Sequence, residues 1–233
     1  MNQVKFKLSR LEGKIIAIDG PAGAGKSTTA RILADRLGFM YLDTGAMYRA
    51  LTWFAMESGI LPGDGEKLAA LAREVPLVFN LEGIINRVLI NGIDVTEEIR
   101  SSEVTTHVSE VSAHKEVRKA MVKKQRQLAG EGSVVAEGRD TTTVVFPKAD
   151  IKIYLDASIR QRAERRLLEL VRKGVSTTIE EQEADILRRD KYDSQRTHSP
   201  LTKASNAFVI DTSEMTIEGQ IDHILALILS VVR

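Results

Sequence analysis

The stretch that decides the fold is IIAIDGPAGAGKSTTA, residues 15–30. Its apolar start predicts a buried β-strand, and its end, from Ser27 onward, predicts a helix. The residues between them fit the phosphate-binding loop pattern of Gly, four residues, Gly, Lys, then Ser or Thr. An ordinary glycine-rich turn is the alternative. The full pattern, however, stands here between a strand and a helix, which is the context that phosphate binding requires.

Each residue type in this loop has a chemical reason. Glycines let the backbone turn its amide groups inward around an anion, in conformations that a side chain would obstruct. The start of the helix adds unpaired N–H groups and a partial positive charge. Lys26 is expected to reach the outer phosphates, and the Ser27 hydroxyl is expected to bind Mg²⁺. The loop therefore predicts a nucleoside triphosphate as ligand.

Composition limits the rest of the answer. A chain of 233 residues, 43% of them hydrophobic, can bury a large core as one domain with insertions. Its 33 basic and 32 acidic side chains nearly cancel, so no overall field favours nucleic acid or a membrane surface. No run approaches the roughly 18 apolar residues of a membrane span, and the cytoplasm is the expected compartment. Because the chain has no Cys, disulfides, thiol nucleophiles and thiolate metal sites are excluded.

A second strand and helix follow the loop helix. FMYLD predicts the strand and AMYRALTWFAMES the helix, with Thr44 as the expected N-cap. Tyr48 and Arg49 lie near the helix start, where a hydroxyl, a guanidinium and helix amides could bind a second anion together. The alternative places Tyr48 in the core and Arg49 in solvent, and the sequence alone leaves both open.

The middle of the chain changes character. Short β-prone runs predict a small antiparallel unit that begins near Val75, and two helices are expected over residues 102–113 and 115–129. Ser109 and Arg118 lie in these helices. From the residues alone, a solvated polar position is the favoured interpretation of each.

The buried strand SVVAE ends in Gly138, Arg139 and Asp140. This places a cation and a carboxylate at the carboxyl edge of a predicted parallel sheet, which is where open α/β sheets bind ligands. A structural ion pair with other residues is the alternative.

Arginines then crowd two predicted helices. Solvated charged faces usually explain such runs, but phosphoryl transfer needs positive charge around the transferred group, so a catalytic role is favoured for some of them. The spacing of the arginines does not decide which of them have that role. The first helix carries Arg160, Arg162, Arg165, Arg166 and Arg172, and the second carries Arg188, Arg189, Asp193 and Arg196, of which the last three share one face.

The chain closes with the predicted strand NAFVIDTS and an amphipathic helix, IEGQIDHILALILSVV, that is expected to cover the sheet. Strands alternate with helices and no internal repeat is present. This pattern predicts an α/β fold, with a doubly wound parallel sheet flanked by helices and carrying insertions.

Four segments together resemble bacterial cytidylate kinases, a P-loop nucleoside monophosphate kinase family, over nearly the whole chain and in the same order. They are IDGPAGAGKST, YLDTGAMYRA, AEGRDTTTVVFP and RRDKYDSQR. The loop alone would indicate only a P-loop protein, whereas DTGAMYR combined with GRD is much more specific. One departure is GRDTTTVVFP, where the family more often reads GRDMGTVVFP, which leaves the local loop geometry open.

The resemblance implies transfer of the ATP γ-phosphoryl group to CMP, and to dCMP, with Mg²⁺, in pyrimidine nucleotide metabolism. It implies a P-loop-type core over residues 14–74, 130–157 and 197–233. The monophosphate-binding insertion would be 75–129, and the lid with its adjoining helix 158–196. A monomer that binds small molecules, with no nucleic acid or membrane partner, is expected.

The resemblance also implies roles for single residues. Catalysis would fall to Lys26, Arg139, Arg165 and Arg166. ATP would be held by Gly20, Pro21, Ala22, Gly23, Ala24, Gly25, Lys26, Ser27 and Thr28, with Ser27 also binding the metal. The CMP phosphate would lie among Thr44, Tyr48, Arg49 and Arg139, the cytosine against Ser109, Arg118 and Asp140, and the ribose against Arg189 and Asp193.

Two other classes share the loop. A regulatory GTPase would need the guanine-reading sequence Asn-Lys-x-Asp, which the chain does not contain. A P-loop kinase for another nucleotide or for a small hydroxylated metabolite would have nearly the same fold, and a screen of acceptors separates it from the first hypothesis.

Overall fold

The structure of the protein is a computed structural model that describes residues 11–82 and 85–231. Its strands are β1 (Ile15–Asp19), β2 (Met40–Asp43), β3 (Leu77–Glu82), β4 (Ile85–Ile90), β5 (Ile93–Asp94), β6 (Val134–Gly138), β7 (Ile151–Asp156) and β8 (Phe208–Asp211). Five of them form a parallel sheet in the order β2-β6-β1-β7-β8, and β3, β4 and β5 form a separate antiparallel sheet. The predicted α/β fold is confirmed.

Eight α-helices lie within the described residues, and none of them is long and apolar enough to cross a membrane. They are α1 (Lys26–Leu37), α2 (Thr44–Glu57), α3 (Gly65–Glu74), α4 (Ser102–Val111), α5 (Lys115–Ala129), α6 (Ile159–Arg172), α7 (Ile179–Gln195) and α8 (Ile217–Val231). Helix α3, which packs against α5, is an element that the sequence patterns did not single out.

The parallel sheet is covered on both faces. Ile16 and Ile18 of β1 point into one apolar cluster, which includes Ile224 of α8, as the amphipathic C-terminal pattern predicts. Ala17, between them, points into the other cluster, with Met47 of α2. Because successive strand residues face opposite sides, a strand buried on both faces reads as a continuous apolar run, as residues 15–18 do.

Strand register brings the polar strand ends together. Asp19, the last residue of β1, pairs with Gly138 of β6 and Tyr154 of β7, and Asp43 of β2 pairs with Glu137. The phosphate loop, the start of α2 and the residues after β6 therefore share the carboxyl edge of the sheet. The predicted position of Arg139 at that edge is confirmed.

The structure corrects the start of α2. Asp43 is the N-cap, since its carboxylate accepts a hydrogen bond from the Ala46 N–H at 2.8 Å. Thr44 is instead the first helical residue, and its hydroxyl donates to the Glu137 carbonyl at 2.7 Å. Both residue types cap helices well. Pairing of β2 with β6 extends through Asp43, which leaves this carboxylate at the helix end.

The predicted antiparallel unit is confirmed, and Asn91 and Gly92 join β4 to β5 with positive φ angles of 52° and 78°. A two-residue turn of this shape suits the twist of a hairpin. The other expected turn, around residues 83–84, lies outside the described residues.

Gly20 provides a test of how tightly the phosphate loop is built. A Cβ added there would lie 2.1 Å from the Leu155 carbonyl oxygen, and the Gly20 φ is +152°. We expect Gly20→Ala to lower the free energy of unfolding by at least about 3 kcal/mol. Gly59 also has a positive φ, +67°, but an added Cβ there meets nothing within 4 Å. Gly59→Ala should therefore cost about 1 kcal/mol, and denaturant titrations that give equal costs would contradict this account.

Candidate active site

A cleft of about 730 Å³ opens at the carboxyl edge of the parallel sheet. It is lined by the phosphate loop, the start of α2, parts of α4 and α5, the residues after β6, and the facing sides of α6 and α7. Most of the predicted site residues meet there: Ala22, Gly23, Gly25, Lys26, Ser27, Thr28, Thr44, Tyr48, Arg49, Ser109, Arg118, Arg139, Asp140, Arg165, Arg166, Arg189 and Asp193. Gly20, Pro21 and Ala24 of the loop do not line it.

Lys26 lies at the base of the phosphate loop. Its Nζ donates to the Pro21 carbonyl at 2.7 Å, so the side chain folds back across the loop. Gly23 and Gly25 have φ angles of +77° and +86°, which turn the backbone around that ammonium group. Burial, and next the charge of Arg139, lower the pKa of Lys26 to about 7. An anion beside Lys26 would favour the protonated form.

Ser27 and Glu137 form a small oxygen-rich group beside the loop. The Ser27 hydroxyl donates to Glu137 Oε1 at 2.7 Å. Burial, and next the like charge of Asp43, raise the pKa of Glu137 to about 7. The motifs did not single out Glu137 as a site residue, although a carboxylate in the otherwise apolar run SVVAE was a signal. Hydroxyl and carboxylate oxygens are ligands that Mg²⁺ accepts alongside substrate phosphates, so these residues fit that ion.

Several guanidinium groups line the cleft together, among them those of Arg49, Arg139, Arg166 and Arg189. Burial, and next the like charge of Arg189, lower the pKa of Arg49 to about 9, and the charges of Arg100 and Arg166 act in the same direction. Burial, and next the charge of Arg139, lower the pKa of Arg189, whose buried Nε has no hydrogen-bond partner within the described part of the chain. Like charges held this close are stabilised by an anion, so the cluster fits a phosphate group.

A second group of charges lies deeper, between α5 and α7. Arg118 donates from Nη2 to Asp140 Oδ2 and from Nη1 to the Ser112 carbonyl at 3.0 Å. Its guanidinium carbon lies 5.2 Å from the centre of the Tyr48 ring. Arg196 Nη2 lies 3.7 Å from the other Asp140 oxygen. Asp140 thus has the ion-pair partners that its structural interpretation requires, and it also faces the cleft.

Two interpretations of single residues are wrong, and Arg196 joins Glu137 as a site residue that the motifs did not single out. Ser109 and Arg118 are not solvated, because only 8% and 4% of their surfaces are exposed. The reason is that α4 and α5, which carry them, pack around the cleft. Arg196 was not among the predicted site residues, yet it lines the cleft beside Asp140. Its position seven residues after Arg189, on the same helix face, was the available signal.

Asp193 ties the two groups of charges together. Arg139 Nε donates to Asp193 Oδ2 at 3.0 Å, and Arg196 Nη1 lies 3.9 Å from the other oxygen. A single carboxylate from α7 therefore fixes one guanidinium at the sheet edge and one at the base of the cleft.

The arginines of helix α6 do not all face the cleft. Arg165 lines the cleft and donates to the Thr212 hydroxyl and carbonyl at 3.1 and 2.6 Å. Arg166 also lines it and pairs with Glu169 at 2.8 Å. Arg160 is an exposed partner of Glu183 at 3.3 Å. Spacing alone could not make this division, because it depends on which helix face meets the sheet edge.

The unusual residues after Asp140 bind the carboxylate of Asp19. Thr141 and Thr142 each donate to it through both the backbone N–H and the hydroxyl, at 2.8 and 2.7 Å from the two nitrogens. Burial raises the pKa of Asp19, while the bonds from Thr141 and Thr142 act against that rise. The two threonines thus join the residues after β6 to the strand that precedes the phosphate loop.

Comparison with known proteins gives one consistent result. The profile of the family described as cytidylate kinase matches residues 16–230. A cytidylate kinase of Bacillus cytotoxicus is 46% identical over 91% of this chain and 95% of its own length. One from Desulfitobacterium hafniense is 49% identical over 91% of each chain. A solved shikimate kinase from Acinetobacter baumannii covers 96% of this chain and 97% of its own at 18% identity, with a TM-score of 0.45.

Two substitutions test the contacts of Asp19, because they remove different numbers of hydrogen bonds. Asp19→Asn replaces an acceptor oxygen with an NH₂ group that faces N–H and O–H donors, so two bonds are lost and a buried donor is left unpaired. We expect a loss of about 3 kcal/mol in the free energy of unfolding. Thr142→Val removes one hydroxyl donor and should cost about 1 kcal/mol. Equal losses in chemical denaturation would show that the Asp19 carboxylate is not held by these donors.

Proposed function

The chain belongs to the cytidylate kinase family and transfers the γ-phosphoryl group of ATP to CMP, giving CDP, and we propose that the cleft at the sheet edge is the site of this transfer. The observation that carries the proposal is the position of the cluster formed by Arg49, Arg139, Arg166 and Arg189. It lines the same cleft as the phosphate loop and the Asp140 group. Donor phosphates, acceptor phosphate and acceptor base each meet a chemically matching surface.

On the donor side, residues 20–28 hold ATP through the loop and the start of α1. Lys26 reaches its outer phosphates. Mg²⁺, held by Ser27 with Glu137 beside it, would neutralise charge on these phosphates when bound.

On the acceptor side, the CMP phosphate lies among Thr44, Arg49 and Arg139, with Arg189 added to them because it belongs to the same charged cluster. Tyr48 is assigned to the base and not to the phosphate, because its ring packs against Arg118. Asp193 remains the residue for the ribose. Use of dCMP is part of the proposal, because the base and phosphate subsites do not depend on the 2′-hydroxyl.

The base subsite is complementary to cytosine. Cytosine presents an amino donor beside two acceptors, its ring nitrogen and its carbonyl, whereas uracil presents an acceptor where the amino group would be. Asp140 supplies an acceptor, and Arg118 and Arg196 supply donors next to it. Arg118 Nε and Arg196 Nη2 are buried and have no hydrogen-bond partner in the described structure. Ser109 borders the same end of the cleft.

The chemistry requires position and positive charge more than proton transfer. A CMP phosphate oxygen attacks the γ-phosphorus, the bond from that phosphorus to the β,γ-bridging oxygen breaks, and ADP leaves. Lys26 and Arg139 stabilise charge on the transferred group, and Arg165 and Arg166 approach it from α6. Arg165 would first have to exchange its contacts with Thr212 for the phosphate.

The proposal extends to the domain organisation of the chain and to its oligomeric state. Residues 75–129 form the monophosphate-binding insertion, and 158–196 form the lid with its adjoining helix, around a core of 14–74, 130–157 and 197–233. A monomer that acts on nucleotides in the cytoplasm is the remaining part of the proposal.

An acceptor screen tests the function directly. We would measure ADP formation from ATP and Mg²⁺ with CMP, dCMP, UMP, AMP and shikimate in turn. The proposal expects turnover with CMP and dCMP well above the other acceptors. Turnover with none of them, or with shikimate alone, would overturn it.

Lys26→Ala tests the donor side. Loss of its ammonium group should lower kcat by on the order of 10²-fold or more, because the charge stabilises the transferring phosphoryl group more than the ground state. The change should be followed by steady-state kinetics, with circular dichroism as the check on folding. Near-normal kcat in a folded variant would contradict the role of Lys26.

Asp140→Asn tests the base subsite. The amide can rotate to offer uracil a donor, so the ratio of kcat/KM for CMP to that for UMP should fall at least about tenfold, or roughly 1.4 kcal/mol. Because Asp140 also pairs with Arg118, stability should fall as well, and thermal unfolding measures that separately. A lower kcat/KM for both acceptors at an unchanged ratio would leave Asp140 as scaffold only.

A further inference from the structure

One residue of the phosphate loop, Ala22, is held by the ion pair between Asp190 and Arg162. Asp190 Oδ1 accepts the Ala22 N–H at 3.1 Å, and Arg162 Nη1 donates to the Ala22 carbonyl at 2.9 Å. The same Arg162 nitrogen also donates to Asp190 Oδ2. Both polar groups of Ala22 are thus bound by side chains from two different helices, α6 and α7. Neither side chain has a role in the transfer described above.

The Arg162 guanidinium is also held by a contact outside the loop. Its Nε donates to the Ala157 carbonyl at 3.0 Å, and the residue is 5% exposed. The loop approaches it closely at Gly23, where an added Cβ would lie 3.0 Å from Arg162 Cβ. Glycine at this position therefore permits the contact, in addition to the turn of the backbone.

A carboxylate beside a phosphate-binding loop needs an explanation, because it repels the ligand. Here Arg162 neutralises the charge of Asp190 at the point of contact. The Ala22 N–H is bonded to Asp190, while Gly25, Lys26 and Ser27 line the cleft at the start of α1. The backbone of Ala22 is thereby held by protein, and the amide groups of the loop residues that follow it are left for phosphate.

We propose that Asp190 and Arg162 are positioning residues that hold the phosphate loop in its binding shape and make that shape depend on the contact between α6 and α7. The part of this inference that concerns ATP rests on the proposed function of the cleft. A loop held in its bound shape loses less conformational freedom when ATP binds, so the clamp favours donor binding. Ala22 lies on the donor side, so CMP binding should be nearly independent of the clamp.

Asp190→Asn is the direct test. Asn has only one acceptor oxygen, whereas Asp190 accepts from Ala22 with one oxygen and from Arg162 with the other. Glu183→Gln is the matched control, since Glu183 also links α7 to α6, through Arg160 at 3.3 Å, without touching the loop. Hydrogen exchange of residues 20–25 would be measured first without substrates, followed by KM for ATP, KM for CMP and kcat.

We expect Asp190→Asn to speed exchange in the loop and to raise KM for ATP at least about tenfold, with KM for CMP changed by less than about twofold. Glu183→Gln should change none of these. Arg162→Lys is the second variant if Asp190→Asn does not fold. It keeps a charge beside Asp190 but cannot also reach the Ala157 carbonyl, so the same selective loss for ATP is expected.

Equal behaviour of Asp190→Asn and Glu183→Gln would overturn the inference, as would equal rises in KM for both substrates at unchanged loop exchange. Failure of the proposed function is distinguishable from these outcomes. In that case the unmutated protein would not phosphorylate CMP, yet the loop exchange without substrates would still show whether the clamp holds Ala22.

Discussion

Arg49, Arg139 and Arg189 are held so close together in the cleft that their charges act on one another, and Arg49 and Arg189 have lowered pKa values. Concentrated positive charge in a partly buried site destabilises the folded chain unless partners or a ligand offset it. The surrounding structure supplies such partners: Asp193 for Arg139, and the Thr105 hydroxyl for Arg49 at 2.8 Å. The buried Arg189 Nε has no hydrogen-bond partner among the described residues, as the proposed role of the cluster in binding phosphate requires. In a chain of net charge +1, this cluster is a local feature and not a property of the whole surface.

The parallel sheet makes that concentration of charge possible. Because β2, β6 and β1 are adjacent and run in the same direction, Asp43, Glu137 and Asp19 end at one edge, and the cations that follow them converge there. Asp19 is satisfied entirely by Thr141 and Thr142, so the departure from the usual family sequence still holds the residues after β6 against the loop strand.

Much of the fold was predictable, and the exceptions have physical causes. The phosphate loop, the buried strands and the amphipathic C-terminal helix depend on local pattern, and each was found where the pattern placed it. Helix α3 was missed although its own sequence carries local signals: an N-cap, Asp64, and buried apolar residues at helical spacing, Leu68, Ala69 and Ala72. The capping role of Asp43 over Thr44 depended on how far β2 pairs with β6, a non-local property.

The sequence by itself determined the triphosphate ligand, because the loop pattern needs specific residue types at fixed spacing, and the resemblance carried by DTGAMYR and GRD indicated the acceptor and the reaction. It could not assign the arginines. Arg162 supports the loop backbone, Arg165 and Arg166 line the cleft, and Arg160 pairs at the surface, although all four lie within seven residues of one helix. Only the tertiary structure decided among them, because a side chain's partner depends on which elements pack against its helix face. Helical spacing fixes the faces but not their neighbours.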